Sequence, residues 1–210
     1  MAGEEGTREP TLSELVTAWT SGTLNLPNEL FDTFARDDDW TYVIKMHGIM
    51  ETALNFMLVC RLGDPELAKT VAFLETSNER TGKLAFIRGY KLLSPDLCFF
   101  VKSFSELRNT FVHKVENFGK KLDDQFSNLT KEQRANWRRA LASWAGDDTE
   151  AIRDTALANP RKAIWNCVMA ILFASRRAEI RGEAHRHVWE AVQPAVEALI
   201  AHPPTTPKTE

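Results

Sequence analysis

Apolar residues along most of the chain recur at spacings of three and four, which is the period of an amphipathic α-helix. Strictly alternating apolar and polar runs, and the Asn-Gly or Asp-Gly pairs of tight hairpins, are absent from the sequence. The pattern therefore predicts an all-α protein that folds as a helical bundle.

Capping and breaking residues divide this pattern into helices. Acidic residues 37–39 favour the start of a long helix from Trp40 to about Arg61, because carboxylates suit exposed helix amides. Shorter or later helices are predicted over about 29–36, 64–74, 79–92, 95–118, 130–145 and 149–158. A last long stretch covers 160–201, which Gly182 and Pro194 are expected to kink or divide.

The domain organisation follows from length and from the composition of the two ends. A chain of 210 residues ordinarily forms one domain with its own core. We expect a flexible segment over 1–26, one helical-bundle domain over 27–202 with an insertion at about 126–159, and a disordered tail over 203–210. The central bundle should comprise 40–61, 79–92, 95–118 and 160–181.

Charge and cysteine content limit which ligands, cofactors and cellular compartment are expected. The net charge is −3, so nucleic acid could be bound only through a local basic patch. The three cysteines (Cys60, Cys98 and Cys167) lie far apart in apolar runs, as buried thiols in a reducing cytoplasm do. Because no Cys/His pattern has zinc spacing, no metal or other cofactor is expected. No signal core or bilayer-length apolar stretch is evident, which predicts a cytoplasmic protein without a membrane segment.

One short motif, 108–113 (RNTFVH), lies on the helix predicted over 95–118. On a helical wheel, the apolar residues of this helix form one stripe, which must face the core. The stripe comprises Phe104, Leu107, Phe111, Val115 and Phe118. Asn109 and His113 are four apart and share a face nearly opposite this stripe. Ser105 and Glu116 fall close to that face, and Arg108 falls at its boundary. This geometry predicts that His113 is not a core histidine.

The motif resembles the RxxxxH motif of the HEPN superfamily, the higher-eukaryote and prokaryote nucleotide-binding domains. Residues 39–58 (DWTYVIKMHGIMETALNFML) and 82–113 (GKLAFIRGYKLLSPDLCFFVKSFSELRNTFVH) are similar to mannitol operon repressor-like proteins, which are related bundles. The resemblance covers about 39–118, under half of the chain. It implies a four-helix core with extra helices, and a homodimer in which two motifs meet.

The resemblance also implies a metal-independent endoribonuclease, in which the 2′-hydroxyl of RNA attacks the adjacent phosphate. His113 would transfer the proton, because imidazole titrates near neutrality. Arg108 would stabilise the phosphorane through its planar fork of donors, and Asn109 would position the reacting groups. Such an enzyme would be a toxin–antitoxin or defence component, with RNA as substrate and a cognate antitoxin or another protein as partner.

Supporting groups are expected on the preceding long helix, where His47, Glu51 and Asn55 are spaced four apart on a partly buried side. Two interpretations remain open for them. They form an ordinary polar seam between helices, or Glu51 pairs with Arg108 and supports the site, together with Glu116.

Two basic strips are the candidate RNA contacts, namely 131–139 and 176–186. In each strip two arginines are four apart: Arg134 with Arg138, and Arg177 with Arg181. Nearby tryptophans could stack on bases. The alternative is that both strips are solvated helix faces, because acidic residues are interleaved with the basic ones.

Two further functions compete with the enzyme. One is a non-catalytic regulator similar to the mannitol repressor group. The sequence shows no helix-turn-helix with a basic recognition helix, which weakens the case for sequence-specific DNA binding. The other is a dimeric interaction module in which Arg108 and His113 are structural, for example tied to Glu51. Two motifs meeting in an exposed basic cleft would favour the enzyme, whereas a buried Arg108–Glu51 bridge would favour the other two.

Overall fold

The computed structural model describes residues 12–27, 30–113, 119, 121–146 and 150–201. Within these ranges every regular element is helical, so the prediction of an all-α bundle is confirmed. In chain order the helices are α1 (Leu12–Leu24), α2 (Leu30–Thr33), α3 (Asp39–Leu62), α4 (Ala68–Phe73), α5 (Lys83–Gly89), α6 (Pro95–His113), α7 (Leu122–Ser127), α8 (Lys131–Ala142), α9 (Glu150–Ala158) and α10 (Pro160–Ala201). A single 3-10 turn, Pro65–Leu67, precedes α4.

Local capping explains where several helices begin and end. The Asp38 carboxylate accepts the backbone N–H of Thr41 at 2.9 Å, which satisfies an otherwise orphaned donor at the start of α3. Gly63 ends α3 in the left-handed region, at φ +76°, a conformation that costs glycine little. A capping box of Thr130 and Gln133 opens α8, within the range predicted for a helix over about 130–145.

The core is built around α3, which packs against α10, α6, α5 and α4. α3 and α6 run antiparallel, since Trp40 near the start of α3 donates to the carbonyl of Phe111 near the end of α6, at 3.2 Å. Among the described residues α3 is the one helix long and apolar enough by composition to cross a membrane. Its apolar side chains are packed inside the bundle, as those of a core helix are.

The segment from α7 to α9, predicted as an insertion, packs on the same core. Leu122, Phe126, Leu141 and Ala156 belong to one buried cluster with side chains of α3, α6 and α10. The segment therefore completes one side of the bundle and is not a separate unit.

The flexible N-terminal segment predicted over 1–26 is wrong for its second half, where α1 forms. Thr20 and Leu24 of this helix are buried, and Trp19 Nε1 donates to a carboxylate oxygen of Glu179 on α10 at 2.9 Å. The polar composition of 1–26 conceals this helix because only one side of it is covered. Residues 1–11 and the tail over 203–210 lie outside the described residues.

The prediction allowed a kink or a division of the last helix at Gly182 and Pro194, and of these the division is wrong: α10 is one continuous helix with Pro194 inside it. At Gly182 a Cβ would lie 3.1 Å from the carbonyl oxygen of Cys60, so the glycine permits close packing of α10 on α3. α5 begins at Lys83 rather than at 79, because the Asn78 side chain accepts two backbone N–H groups and holds that stretch in a turn.

Candidate functional site

The apolar stripe of α6 determines which way the motif points. Phe104, Leu107 and Phe111 are buried, which confirms the part of the stripe that lies in the described residues. Val115 and Phe118 lie outside them, as does Glu116. With the stripe facing inward, Asn109 and His113 are both exposed to solvent.

Arg108, Asn109 and His113 together are called the motif face. Arg108 is half-buried, and its Nη1 donates to the side-chain oxygen of Asn109 at 3.0 Å. Within the described part of the chain this neutral amide is its hydrogen-bond partner, and no carboxylate forms an ion pair with the guanidinium. Most donors of Arg108 therefore remain able to bind an anion.

Inside the bundle, α3, α5, α6 and the segment between α4 and α5 contribute a second group of polar side chains, here called the polar seam: His47, Glu51, Thr76, Lys83 and Ser105. His47 is 6% exposed, and its Nε2 lies 3.1 Å from the Ser105 hydroxyl oxygen. Since that hydroxyl donates to the carbonyl of Val101 at 2.8 Å, His47 must donate through Nε2–H.

Ser105 lies one turn before Asn109 on α6, close to the Asn109/His113 face as the helical wheel placed it, but it is buried whereas Asn109 is exposed. Ser105 is only 3% exposed, because α3 covers this side of α6 and places His47 against it. A helical wheel gives the direction of a side chain but not the position of the neighbouring helix.

Burial lowers the pKa of His47 to about 4, opposed by the charge of Glu51 and assisted by the charges of Arg108 and Lys83. His47 is therefore neutral at pH 7 and is not a group that titrates near neutrality. Because the charge of Arg108 contributes to the lowered pKa of His47, the guanidinium lies within electrostatic reach of the imidazole.

Glu51 is bound within the seam. Its Oε1 accepts from Lys83 Nζ at 2.7 Å and from the Thr76 hydroxyl at 2.6 Å. The hypothesis that Glu51 pairs with Arg108 is therefore wrong, and the polar-seam interpretation describes Glu51. Burial acts to raise the pKa of Glu51, but the hydrogen bonds from Lys83 and Thr76 outweigh it, so the pKa is lowered and the carboxylate stays ionised.

Sequence reasoning missed Lys83, which is 0% exposed. Besides Glu51, its ammonium group donates to the carbonyl of Ala72 at 3.3 Å. A lysine in the first turn of a short helix is ordinarily exposed to solvent, and nothing in the neighbouring sequence indicates that Lys83 is buried. Asn55, the third seam residue named from the sequence, has a buried side-chain oxygen that no described group satisfies.

The two basic strips differ in how far their charges are neutralised. On α8, Arg138 pairs with Glu150 and Asp154, and Arg139 pairs with Asp96. Arg134 lies in a shallow hollow that Asp123 and Asp154 also line. On α10, Arg177 and Arg181 line a larger cleft that contains no carboxylate among its lining residues. Carboxylates therefore pair with or lie beside the arginines of the first strip, whereas Arg177 and Arg181 of the second strip face a cleft lined by other cations.

No family model, curated protein or solved structure matches this chain. The resemblance to the HEPN superfamily consequently depends on residues 108–113 and on the helices that precede them.

Proposed function

We propose that this chain is a metal-independent endoribonuclease in which the motif face acts on an RNA phosphodiester. The observation that carries the proposal is the exposure of Asn109 and His113 on α6, beside a half-buried Arg108 guanidinium that no described carboxylate neutralises. The engagement of Glu51 with Lys83 supports it, because Arg108 is thereby left available to substrate.

The reaction needs three contributions that these side chains can make. The 2′-hydroxyl attacks phosphorus, the bond to the 5′-oxygen breaks, and a 2′,3′-cyclic phosphate and a 5′-hydroxyl result. His113 accepts the proton of the 2′-hydroxyl. Arg108 donates to the phosphorane oxygens, and its hydrogen bond to Asn109 restricts the guanidinium beforehand.

A second copy of the chain would complete this chemistry. One imidazole cannot take the proton of the attacking hydroxyl and protonate the leaving oxygen at the same moment, whereas two His113 side chains across an interface could. Val112, between the motif residues, is 41% exposed and offers apolar surface to a partner. The proposed homodimer buries about 1,200 Å² or more in total, with the motif face at or beside the interface. Light scattering that gives a monomer mass at tens of micromolar would contradict it.

The direct test is RNA cleavage by the purified full chain in EDTA. His113→Ala should slow cleavage by roughly 10²–10⁴-fold, the range of general acid–base catalysis. Arg108→Lys should also impair it, since a lysine keeps the charge but loses the planar fork. The matched control is His187→Ala, which removes an exposed histidine of α10. Mass spectrometry of the products should show 2′,3′-cyclic phosphate ends.

The proposal fails if the wild type leaves RNA intact, or if His113→Ala and wild type cleave equally well. A non-catalytic regulator or dimeric interaction module would then be the better assignment, which the exposed Val112 also suits. As an active ribonuclease the protein would need restraint in its own cytoplasm, so the proposal includes a cognate antitoxin or another protein partner.

A further inference from the structure

A second region of uncommon chemistry lies at the other end of the bundle. A cleft of about 660 Å³ opens between the end of α3, the loop that joins α5 to α6, and the middle of α10. Its lining includes six basic side chains and no acidic one: Arg61, Lys91, Arg177, Arg181, His185 and Arg186. In a chain of net charge −3, this is a local concentration of positive charge.

The arginines and the lysine of this cleft form no ion pair with a described carboxylate, in contrast with many other cations of the described residues. Cations that pair with carboxylates elsewhere include Lys45, Lys83, Arg88, Arg138, Arg139 and Arg161. In the cleft, Arg61 lies against the ring of Tyr90 at 5.1 Å, and no described carboxylate forms an ion pair with Lys91, Arg177 or Arg181.

Acidic residues do occur near the cleft, and their arrangement leaves it cationic. Burial raises the pKa of the Cys60 thiol to about 11, and Glu179 and Glu183 contribute to that rise, so both carboxylates lie within electrostatic reach. Glu179 is already held by Arg176 and Trp19. Neither Glu179 nor Glu183 lines the cleft itself.

The backbone of the cleft is specialised at two positions. Lys91 adopts φ +53°, a left-handed conformation that costs a non-glycine residue free energy. This conformation ends α5, since the Leu92 N–H donates to the carbonyl of Ile87 at 3.0 Å, and it places Lys91 at the rim of the cleft. Gly182 lets α10 approach the backbone of α3 closely, which brings Arg181 and Arg186 to the same cleft as Arg61.

We infer that this cleft binds a small ligand that carries two or more phosphate groups. Arginine forks match phosphate oxygens in pairs, and several uncommitted forks facing one space favour a multiply charged anion. The volume falls within the roughly 300–1,000 Å³ typical of small-molecule sites. Tyr90, Leu92 and Leu93 supply apolar surface for a part of the ligand that is not phosphate.

The site is separate from the motif face, so the inference stands independently of the proposed ribonuclease. Ser94, just before α6, lines the cleft, whereas His113 is the last residue of α6. The length of the helix between them is about 28 Å, at roughly 1.5 Å per residue.

Isothermal titration calorimetry of the full chain tests the inference with inorganic tripolyphosphate, ATP and a single-stranded RNA dodecamer. One tripolyphosphate or ATP should bind per chain. Replacing both Arg177 and Arg181 with Ala should weaken binding by roughly tenfold or more, since charge-assisted hydrogen bonds are lost. The control removes two exposed charges elsewhere, in Lys69→Ala/Arg80→Ala, and should bind as the wild type does.

Lys91→Gly separates a binding role from a structural one. Glycine relieves the left-handed backbone, so thermal unfolding should occur at a higher temperature while phosphate binding weakens. The inference is overturned if neither phosphate ligand binds at millimolar concentration, or if cleft and control variants bind equally. Binding of RNA but of neither phosphate ligand, lost on replacement of Arg177 and Arg181, would also overturn it and would assign the cleft to nucleic acid. Because His113 is unchanged in these variants, RNA cleavage reports on the proposed function separately.

Discussion

Two neighbouring regions, the polar seam inside the bundle and the motif face at its surface, carry similar chemical groups under opposite conditions. The polar seam contains a histidine, a carboxylate and a lysine, and hydrogen bonds within the chain satisfy each of them. The motif face contains a histidine, an amide and an arginine, of which Asn109 and His113 are exposed. Residue type alone does not separate these regions, whereas the state of their partners does.

The interactions of the polar seam stabilise the fold, whereas those of the motif face are available for binding. In the seam, the favourable interactions offset the cost of taking charges and polar groups out of water, so they stabilise the fold. On the motif face the groups remain hydrated and uncommitted, so their interactions are available to a substrate or a partner chain. Substitutions in the seam should therefore change stability, and substitutions on the motif face should change activity.

The largest stability effect should come from Glu51→Ala, which leaves the ammonium group of Lys83 buried without its counter-ion. Removal of one partner of a buried pair costs roughly 3–5 kcal/mol. The lower end applies, because 36% of the Glu51 side chain is exposed and water can reach the pair. Urea unfolding measures the loss, with Glu106→Ala on the exposed side of α6 as the matched control.

A double variant makes that test sharper. Lys83→Met added to Glu51→Ala removes the orphaned charge and should recover most of the lost stability. If Glu51→Ala alone unfolds within 1 kcal/mol of the wild type, the seam does not stabilise the fold in the way that its hydrogen bonds indicate.

The next effect is a pH dependence from His47, whose pKa falls from 6.5 to about 4 on folding. Between these values the unfolded chain binds a proton that the folded chain does not, so stability falls as pH is lowered through this window. The total is roughly 3 kcal/mol at 1.4 kcal/mol per unit. His47→Gln keeps a donor for Ser105 and should flatten the profile, whereas His113→Gln should not.

Calorimetric unfolding from pH 7 down to 5 measures this dependence while Glu51 stays ionised. The pKa of Glu51 is lowered from 4.5, so the stability it contributes is present above that value and is lost only at lower pH. A wild-type profile as flat as that of His47→Gln would show that His47 is not protected from protonation.

A smaller effect should distinguish two polar residues one turn apart on α6. Ser105→Ala removes the acceptor of the buried His47 Nε2–H, at a cost of roughly 1–3 kcal/mol. Asn109→Ala removes an exposed amide and should change stability by less than about 0.5 kcal/mol. Equal losses in urea unfolding would show that the burial of Ser105 against His47 does not distinguish it from Asn109.

The smallest stability effects should accompany the largest loss of activity. His113→Ala should unfold within about 0.5 kcal/mol of the wild type, as exposed surface substitutions do, and Arg108→Ala should lose somewhat more because Arg108 is half-buried. The same proteins should lose RNA cleavage under the assay described above. Should either variant be destabilised by more than about 2 kcal/mol, its motif residue has a structural role.

Most of the fold could be predicted because its signals act over a few residues. Asp38, Gly63 and the Thr130–Gln133 box each bond to groups within four positions of themselves, so the sequence alone displays them. The exposure of Asn109 and His113 could also be predicted, since the helical period relates them to the buried stripe of α6.

The rest depends on which helices become neighbours. Glu51 and Lys83 are 32 positions apart, and only the placement of α5 against α3 brings them together. α1 could not be recognised by composition, because it is held through Trp19 to a residue 160 positions away. The basic cleft likewise adds Arg61 and Lys91 to the strip that was visible on α10.

The complete burial of Lys83 gives the molecule an internal reporter of its own opening. An amine-acylating reagent reacts quickly with lysines at the surface, but it reaches this one only after α3 and α5 have separated. The acylation rate of the peptide that contains Lys83, followed by mass spectrometry, would therefore measure how often the bundle opens under native conditions. The same residue that stabilises the seam records, as a chemical mark, each time that the seam is broken.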